Sequence, residues 1–221
     1  MKIDHHLHTS RHSPDSVIEP HQLIRSARDA GLDGVVITEH DYQWREDELA
    51  DLQESAGDLL VLAGAEISAI EGHMLVYGLP HLDDVPPGVS VRRVLEVAEY
   101  HDAVVVAAHP YRWGQDFRAI LAQVGARFDG LELVSNNVGA AERSLIESTL
   151  SDHPVFGATG SSDAHEPEVV GCYYSVFPEP IRSMHDFVSA LRRRRSAPRH
   201  HASKRLASGP IEWAARPASH R

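Results

Sequence analysis

The sequence predicts an α/β protein built from βα units. Short apolar runs that read as strands alternate along the chain with amphipathic stretches that read as helices, and metal-type side chains stand where the apolar runs stop. MKID is the first strand. EPHQLIRSARDAG then places Leu23, Ile24, Ala27 and Ala30 on one helical face, with Pro20 near its start and Gly31 where a C-terminal cap belongs. DGVVIT reads as a buried strand, REDELADLQES as a polar helix, and LLVLAGAEI and HMLVYGL as strands. SVRRVLEVAEYH, FRAILAQVG and AAERSLIESTL read as helices; AVVVAAH, GLELVS, VFGATG and CYYSVF read as strands. SMHDFVSALRRRR closes the pattern as a helix with Ser183 as N-cap and Asp186 three residues on. Strands alternating with helices imply crossover connections and parallel pairing.

The chain of 221 residues, 42% apolar, is long enough for one sizeable core, so a single domain is expected. No apolar stretch reaches the roughly 18 residues that a membrane span requires, and the N-terminal residues carry no signal-peptide pattern; a cytoplasmic location without membrane attachment is the expectation. Cys172 is the single cysteine, which rules out an intrachain disulfide and any structural zinc site needing two thiolates from this chain. The net charge of −11 is unevenly distributed. From Arg192 onward there are nine basic residues against the one acid Glu212, which leaves a formal −19 on the residues before it. Such an acidic body disfavours non-specific binding of polyanions. Residues 1–195 are therefore read as the folded unit and residues 196–221 as a basic, poorly ordered tail, through which RNA or an acidic partner could be held. Nothing in the composition points to an obligate protein partner.

Nine residues form the candidate metal-ligand set: His6, His8, Asp15, His40, Glu66, His73, His109, Asp163 and His165. In DHHLHTS, His6 and His8 are two apart, so the period of a strand puts both imidazoles on one face, and Asp163 and His165 repeat that spacing in GSSDAH. His5 faces the other way, and Asp4 shares the ligand face as a residue that could orient an imidazole. Imidazole mixed with carboxylate suits zinc, iron or manganese rather than an all-oxygen calcium or magnesium cage. Arg112 in HPYR follows a candidate ligand and is the candidate phosphate clamp, with a rim salt bridge as the competing role. Asn136 and Asn137 either line the pocket or cap the next helix, and His12, beside Asp15, either touches substrate or lies exposed.

As an ordered set, DHHLHTS, SPDS, ITEHD, GAEIS followed by GHMLVYG, AAHPYR and GSSDAH resemble the PHP family, the polymerase and histidinol phosphatase domain, from Met1 to about Arg192. The third segment departs from the family, with TEHD where many members have TDHD, which leaves the role of Glu39 open. The resemblance implies a distorted (β/α)7 TIM-like barrel, an active site at the C-terminal ends of its strands, and two to three divalent ions. It also implies a division of ligands: His6, His8, Glu66 and Asp163 for one ion, Glu66, His73 and His109 for a second, and Asp15, His40 and His165 for a third.

Three divalent ions would bring six positive charges, of which Asp15, Glu66, Asp163 and a bridging hydroxide return four. The remainder matches a phosphate monoester dianion, so the expected activity is hydrolysis of a small phosphorylated substrate by a metal-bound hydroxide. Sugar phosphates, histidinol phosphate and nucleotides are the expected substrate types. A PHP-type exonuclease or nucleotide phosphodiesterase has the same site chemistry, with nucleic acid as substrate. An amidohydrolase is disfavoured because Lys2 and Lys204 are the only lysines, and a silent PHP module because all nine ligand positions are filled.

Overall fold

The structure is a computed structural model that describes residues 1–206. In chain order its first half comprises β1 (Lys2–Asp4), α1 (Pro20–Asp29), β2 (Gly34–Ile37), α2 (Glu46–Ala56), β3 (Leu60–Ala63), β4 (Ala65–Ala69) and β5 (Gly72–Tyr77). The second half comprises α3 (Val91–Tyr100), β6 (Val104–Ala107), α4 (Phe117–Val124), β7 (Gly130–Val134), α5 (Ala140–Asp152), β8 (Gly157–Gly160), β9 (Tyr173–Val176), α6 (Met184–Arg192) and β10 (Ala197–His200). All six expected helices are present. Ser183 caps α6 by accepting from the Asp186 amide, and Gly31 takes the left-handed conformation (φ +65°) just past α1.

The strands form two five-stranded sheets, ordered β10-β9-β1-β2-β3 and β4-β5-β6-β7-β8. Parallel pairing holds for β1–β2–β3 and β6–β7–β8, whose connections carry helices. It fails at β4–β5, which are antiparallel: only Ile70 and Glu71 separate them, too few residues for a crossover. The apolar run LLVLAGAEI divides at Gly64, where the chain passes from one sheet to the other. A Cβ there would lie 2.6 Å from the Val76 carbonyl oxygen, so only glycine permits this approach. The fold is thus mixed α/β with two sheets, and strand pairing does not run round a closed seven-stranded ring as the barrel expectation had it.

Hydrogen bonds nevertheless join the sheets at both margins. The Glu66 amide donates to the Glu39 carbonyl and the Asp41 amide to the Glu66 carbonyl, while the Ser175 hydroxyl both accepts from the Gly160 amide and donates to its carbonyl. Between the sheets lies a buried cluster that includes Ile3, Val36, Leu75, Tyr77 and Val106, and Phe187 and Leu191 of α6 complete it. Truncating a fully buried phenylalanine such as Phe187 would cost about 3–5 kcal/mol. Cys172 is buried, and burial pushes its thiol up to about 12.

The boundary expected at residue 196 also moves. Ala197–His200 form the edge strand β10, in register with β9 from Ala197 opposite Val176 to His200 opposite Tyr173. Proline is compatible with an edge strand, which explains how a run reading APRH can pair. The remainder of the expected tail, 207–221, lies outside the described residues.

Candidate metal centre

All nine candidate ligands converge where β1, β2, β6 and β8 end and β4 and β5 begin. His6 and His8 follow β1 and are fully buried; Asp163 and His165 follow β8; His109 follows β6. His109 and Asp163 both have positive φ, 27° and 52°, a conformation that costs non-glycine residues on the order of 1 kcal/mol each. Glu66, on β4, is fully buried and touches five imidazoles. Its Oε2 lies 3.1 Å from His6 Nε2, 3.2 Å from His8 Nε2 and 3.1 Å from His40 Nδ1. Its Oε1 lies 2.8 Å from His73 Nδ1 and 3.0 Å from His109 Nε2. Asp15 joins the rim, 3.1 Å from His40 Nε2 and 3.2 Å from His165 Nε2.

The innermost quartet fits a metal ion. Asp163 Oδ1 is 3.3 Å from His6 Nε2 and 3.4 Å from His8 Nε2, so four donor atoms stand 3.1–3.4 Å apart along the measured edges. Ligands at about 2.0–2.1 Å in a tetrahedron are about 3.4 Å apart. His6 Nε2, His8 Nε2 and Glu66 Oε2 are buried with no hydrogen-bond partner, an arrangement that is costly unless a cation completes it. His6, His8, Glu66 and Asp163 therefore form one metal-competent group. His8, His40 and His165 form another, and His40, Glu66 and His73 a third. His40 thus lies between two groups, where the resemblance had assigned it to one.

The electrostatics agree. Burial opposes the charged form of His8, but Asp163 and Glu66 outweigh it and push its pKa up to about 9. Burial likewise opposes ionisation of Glu66, yet His6, His109 and His40 hold it well below the usual carboxylate range. Protons and metal ions compete for the same lone pairs in such a cluster.

Several supporting residues have no signature in the spacing of the motifs. Glu132, fully buried on β7, accepts from His6 Nδ1–H at 2.9 Å, from the Ser161 hydroxyl at 2.6 Å and from the His109 amide at 2.8 Å. It holds the His6 tautomer that turns Nε2 toward the cluster. The available signal was an acid on the apolar strand GLELVS. Glu39 is buried too, accepting from Thr9, from the Ser13 hydroxyl and from Trp44 Nε1. Ser13 in turn accepts from His8 Nδ1–H at 3.4 Å and from the His40 amide at 3.2 Å, so the TEHD glutamate supports two ligands through one serine.

Other expectations are corrected. Asp4 orients no imidazole: it accepts from the Ser162 and Gly171 amides and fastens the loop that carries Asp163 and His165. His12 stacks on Tyr42, with ring centroids 3.8 Å apart, and is only partly exposed. Gly139, not Asn136 or Asn137, is the N-cap of α5. Asn137 donates to Asp163 Oδ2 at 2.6 Å and accepts from Arg112 Nη2 at 2.8 Å. Arg112 Nη1 also lies 3.8 Å from Asp163 Oδ2. His5 does face away, packed against Tyr77, and burial pushes its pKa down to about 4. A cavity of about 440 Å³ opens above the cluster, lined by Asp15, His40, His73, Arg112, Asn137 and His165 among others.

Fold and site together define a mixed α/β protein with a buried histidine–carboxylate cluster able to bind metal. The family model for the PHP-associated domain (PHP_C) matches residues 151–196. The uncharacterized protein MJ1587 of Methanocaldococcus jannaschii is 32% identical over 120 residues, which cover 50% of this chain and 68% of that protein. The chain belongs to the PHP-domain family. Among solved structures it resembles a two-domain protein from Bacteroides vulgatus containing a predicted PHP-like metal-dependent phosphoesterase, with a TM-score of 0.69 and 22% identity over 91% of this chain. It also resembles the lesion-specific endonuclease PfuEndoQ of Pyrococcus furiosus, with a TM-score of 0.65 and 15% identity over 86% of this chain. The chain spans 65% of the first of these structures and 55% of the second.

Proposed function

We propose that the chain is a metal-dependent phosphoesterase acting on a small phosphate monoester of the sugar phosphate, histidinol phosphate or nucleotide type. The observation that carries the reading is the buried quartet of His6, His8, Glu66 and Asp163, in which His6 Nε2, His8 Nε2 and Glu66 Oε2 have no hydrogen-bond partner, beneath a cavity edged by Arg112. His6, His8, Glu66 and Asp163 would hold one ion, Glu66, His73 and His109 a second, and Asp15, His40 and His165 a third, for two to three in all. Bound divalent zinc, iron or manganese would supply activation of water and a positive field for the phosphate oxygens.

The chain's own groups do the rest. Glu132 and Ser13 fix the ring orientations of His6 and His8, and Asn137 holds the Arg112 guanidinium at the cavity edge. From there the guanidinium presents its planar fork to a phosphate. Hydrolysis consumes one water: its oxygen bonds to phosphorus, the bond from phosphorus to the alcohol oxygen breaks, and the alcohol leaves with a proton. No side-chain nucleophile is needed. We read the two sheets as the halves of the distorted barrel, supported by the hydrogen bonds that join them at both margins. Lys2 and Lys204 do not line the metal cavity, which disfavours an amidohydrolase centre that relies on a carboxylated lysine.

Elemental analysis of protein purified without chelator should show two to three equivalents of zinc, iron or manganese. The metal-loaded protein should release phosphate from at least one of a panel of sugar phosphates, histidinol phosphate and nucleotides. Turnover confined to short RNA or DNA would replace the monoesterase with the exonuclease. Less than one equivalent of metal, with no activation by added metal, would overturn both.

A further inference from the structure

Beside the metal cavity lies a second cleft of about 480 Å³, and the two share His73, His109, Arg112 and Trp113 as walls. The cleft presents two large apolar side chains to solvent: Trp113 is 76% exposed and Ile70 74%. The other large exposed apolar residues among those described, Val17, Tyr100, Leu145 and Val155, line neither cavity. An indole left in water beside an active site forgoes burial that a core position would give, so its placement calls for an occupant.

The loop that carries the indole is held in place. Tyr111 and Trp113 have φ of 74° and 57°, a region uncommon for aromatic residues. Gln115 fastens the loop to the β4–β5 turn by donating to the Glu71 carbonyl at 2.6 Å and accepting from the Tyr111 amide at 3.3 Å. A Cβ on Gly72 would collide with the Gln115 side-chain amide, so the close contact between loop and turn depends on that glycine. Arg112 connects the two cavities: its guanidinium carbon lies 3.9 Å from the centre of the Trp113 ring, while its Nη1 lies 3.8 Å from Asp163. A phosphate held by Arg112 would therefore leave its esterified alcohol next to the indole.

We propose that Trp113, in a cleft that Ile70 also lines, is a stacking platform for a nucleobase carried by the alcohol portion of the substrate. The proposal rests on the phosphoesterase reading and narrows it to nucleotides. A flat aromatic base matches a ring that is open on its exposed side and already carries a cation on the other, whereas a bare sugar offers no π-face.

The test uses the metal-loaded full chain and two esters that differ only by the base, adenosine 5′-monophosphate and ribose 5-phosphate. The wild type should favour the base-bearing ester in kcat/KM by at least about fivefold, the lower range of base–aromatic stacking. Trp113→Ala should abolish that ratio, and Trp113→Phe should keep most of it. Should neither ester be turned over, the preference between them is read from binding instead, and the phosphoesterase reading is judged on the wider panel above. Calorimetric affinities of the same two compounds for the three proteins then decide the stacking, with the same ordering expected. A wild type that does not discriminate by either measure, or a Trp113→Ala protein that still does, would overturn the proposal.

Discussion

The candidate metal site has a buried half and an exposed half. His6, His8, Glu66 and Asp163 are buried to 2% exposure or less, and both histidines are oriented from behind by Glu132 or Ser13. At the rim, the side chains of His40, His73 and His165 are each 24% exposed and that of Asp15 is 54% exposed. In the interior the dielectric is low, donors cannot turn to water, and an incomplete cluster is costly. At the rim, water can replace a missing ligand at little cost. The buried half should therefore govern whether metal is held at all, and the rim how well the loaded site turns over.

The strongest way to break this comparison is through Glu66, which belongs to both halves. Glu66→Gln keeps the shape but removes the charge that five imidazoles share. Losing several kcal/mol of charge stabilisation corresponds to on the order of a 1,000-fold fall in turnover. Bound metal, measured by elemental analysis, should drop as well. Retention of metal and of rate would deny Glu66 its central place.

Glu132 tests the buried half from behind, since it meets His6 without belonging to the proposed ligand set. Glu132→Gln should weaken metal affinity by about 10- to 100-fold, read by competition with a chromophoric chelator. A change below about twofold would mean that the His6 ring is fixed by packing alone. At the rim, Asp15→Asn should lower kcat by no more than about tenfold while the innermost ion stays bound, because an exposed carboxylate interacts weakly. Loss of all metal in that variant would erase the distinction between the halves.

The smallest effect concerns the scaffold behind the rim. Glu48 receives Arg11, next to the segment that carries Ser13 and Asp15, together with Tyr42. Burial favours its neutral form, but the Arg45 amide, Tyr42 and Arg11 hold its pKa at about 2 against the usual 4.5. A carboxyl depressed on folding stabilises the protein above its unfolded pKa, and that contribution is lost as the pH falls from 4.5 through 2. Thermal melts in that window should show a shallower pH dependence for Glu48→Gln than for the wild type. Parallel curves would mean that Glu48 anchors nothing.

The sequence by itself determined the helices, most of the strands and the nine candidate ligands. Helical and strand periodicity are local properties, and strand ends are where ligand-bearing residues naturally fall. Local reading ended where a partner distant in sequence decides the outcome. Nothing in LLVLAGAEI marks the bend at Gly64 until the carbonyl of Val76 is brought against it. Nothing in APRH reads as a strand until β9 offers an edge. The acid in GLELVS became a support for His6 only across 126 residues of chain, and Glu39 reached His8 only through Ser13. Trp113 and Ile70, 43 positions apart, came to line one cleft in the same way. Which residue types do the chemistry is written in composition and spacing. Which atoms face one another, which are denied water and which stay open to a ligand were decided only when the two sheets packed together, because burial and hydrogen-bond direction are properties of the assembled fold.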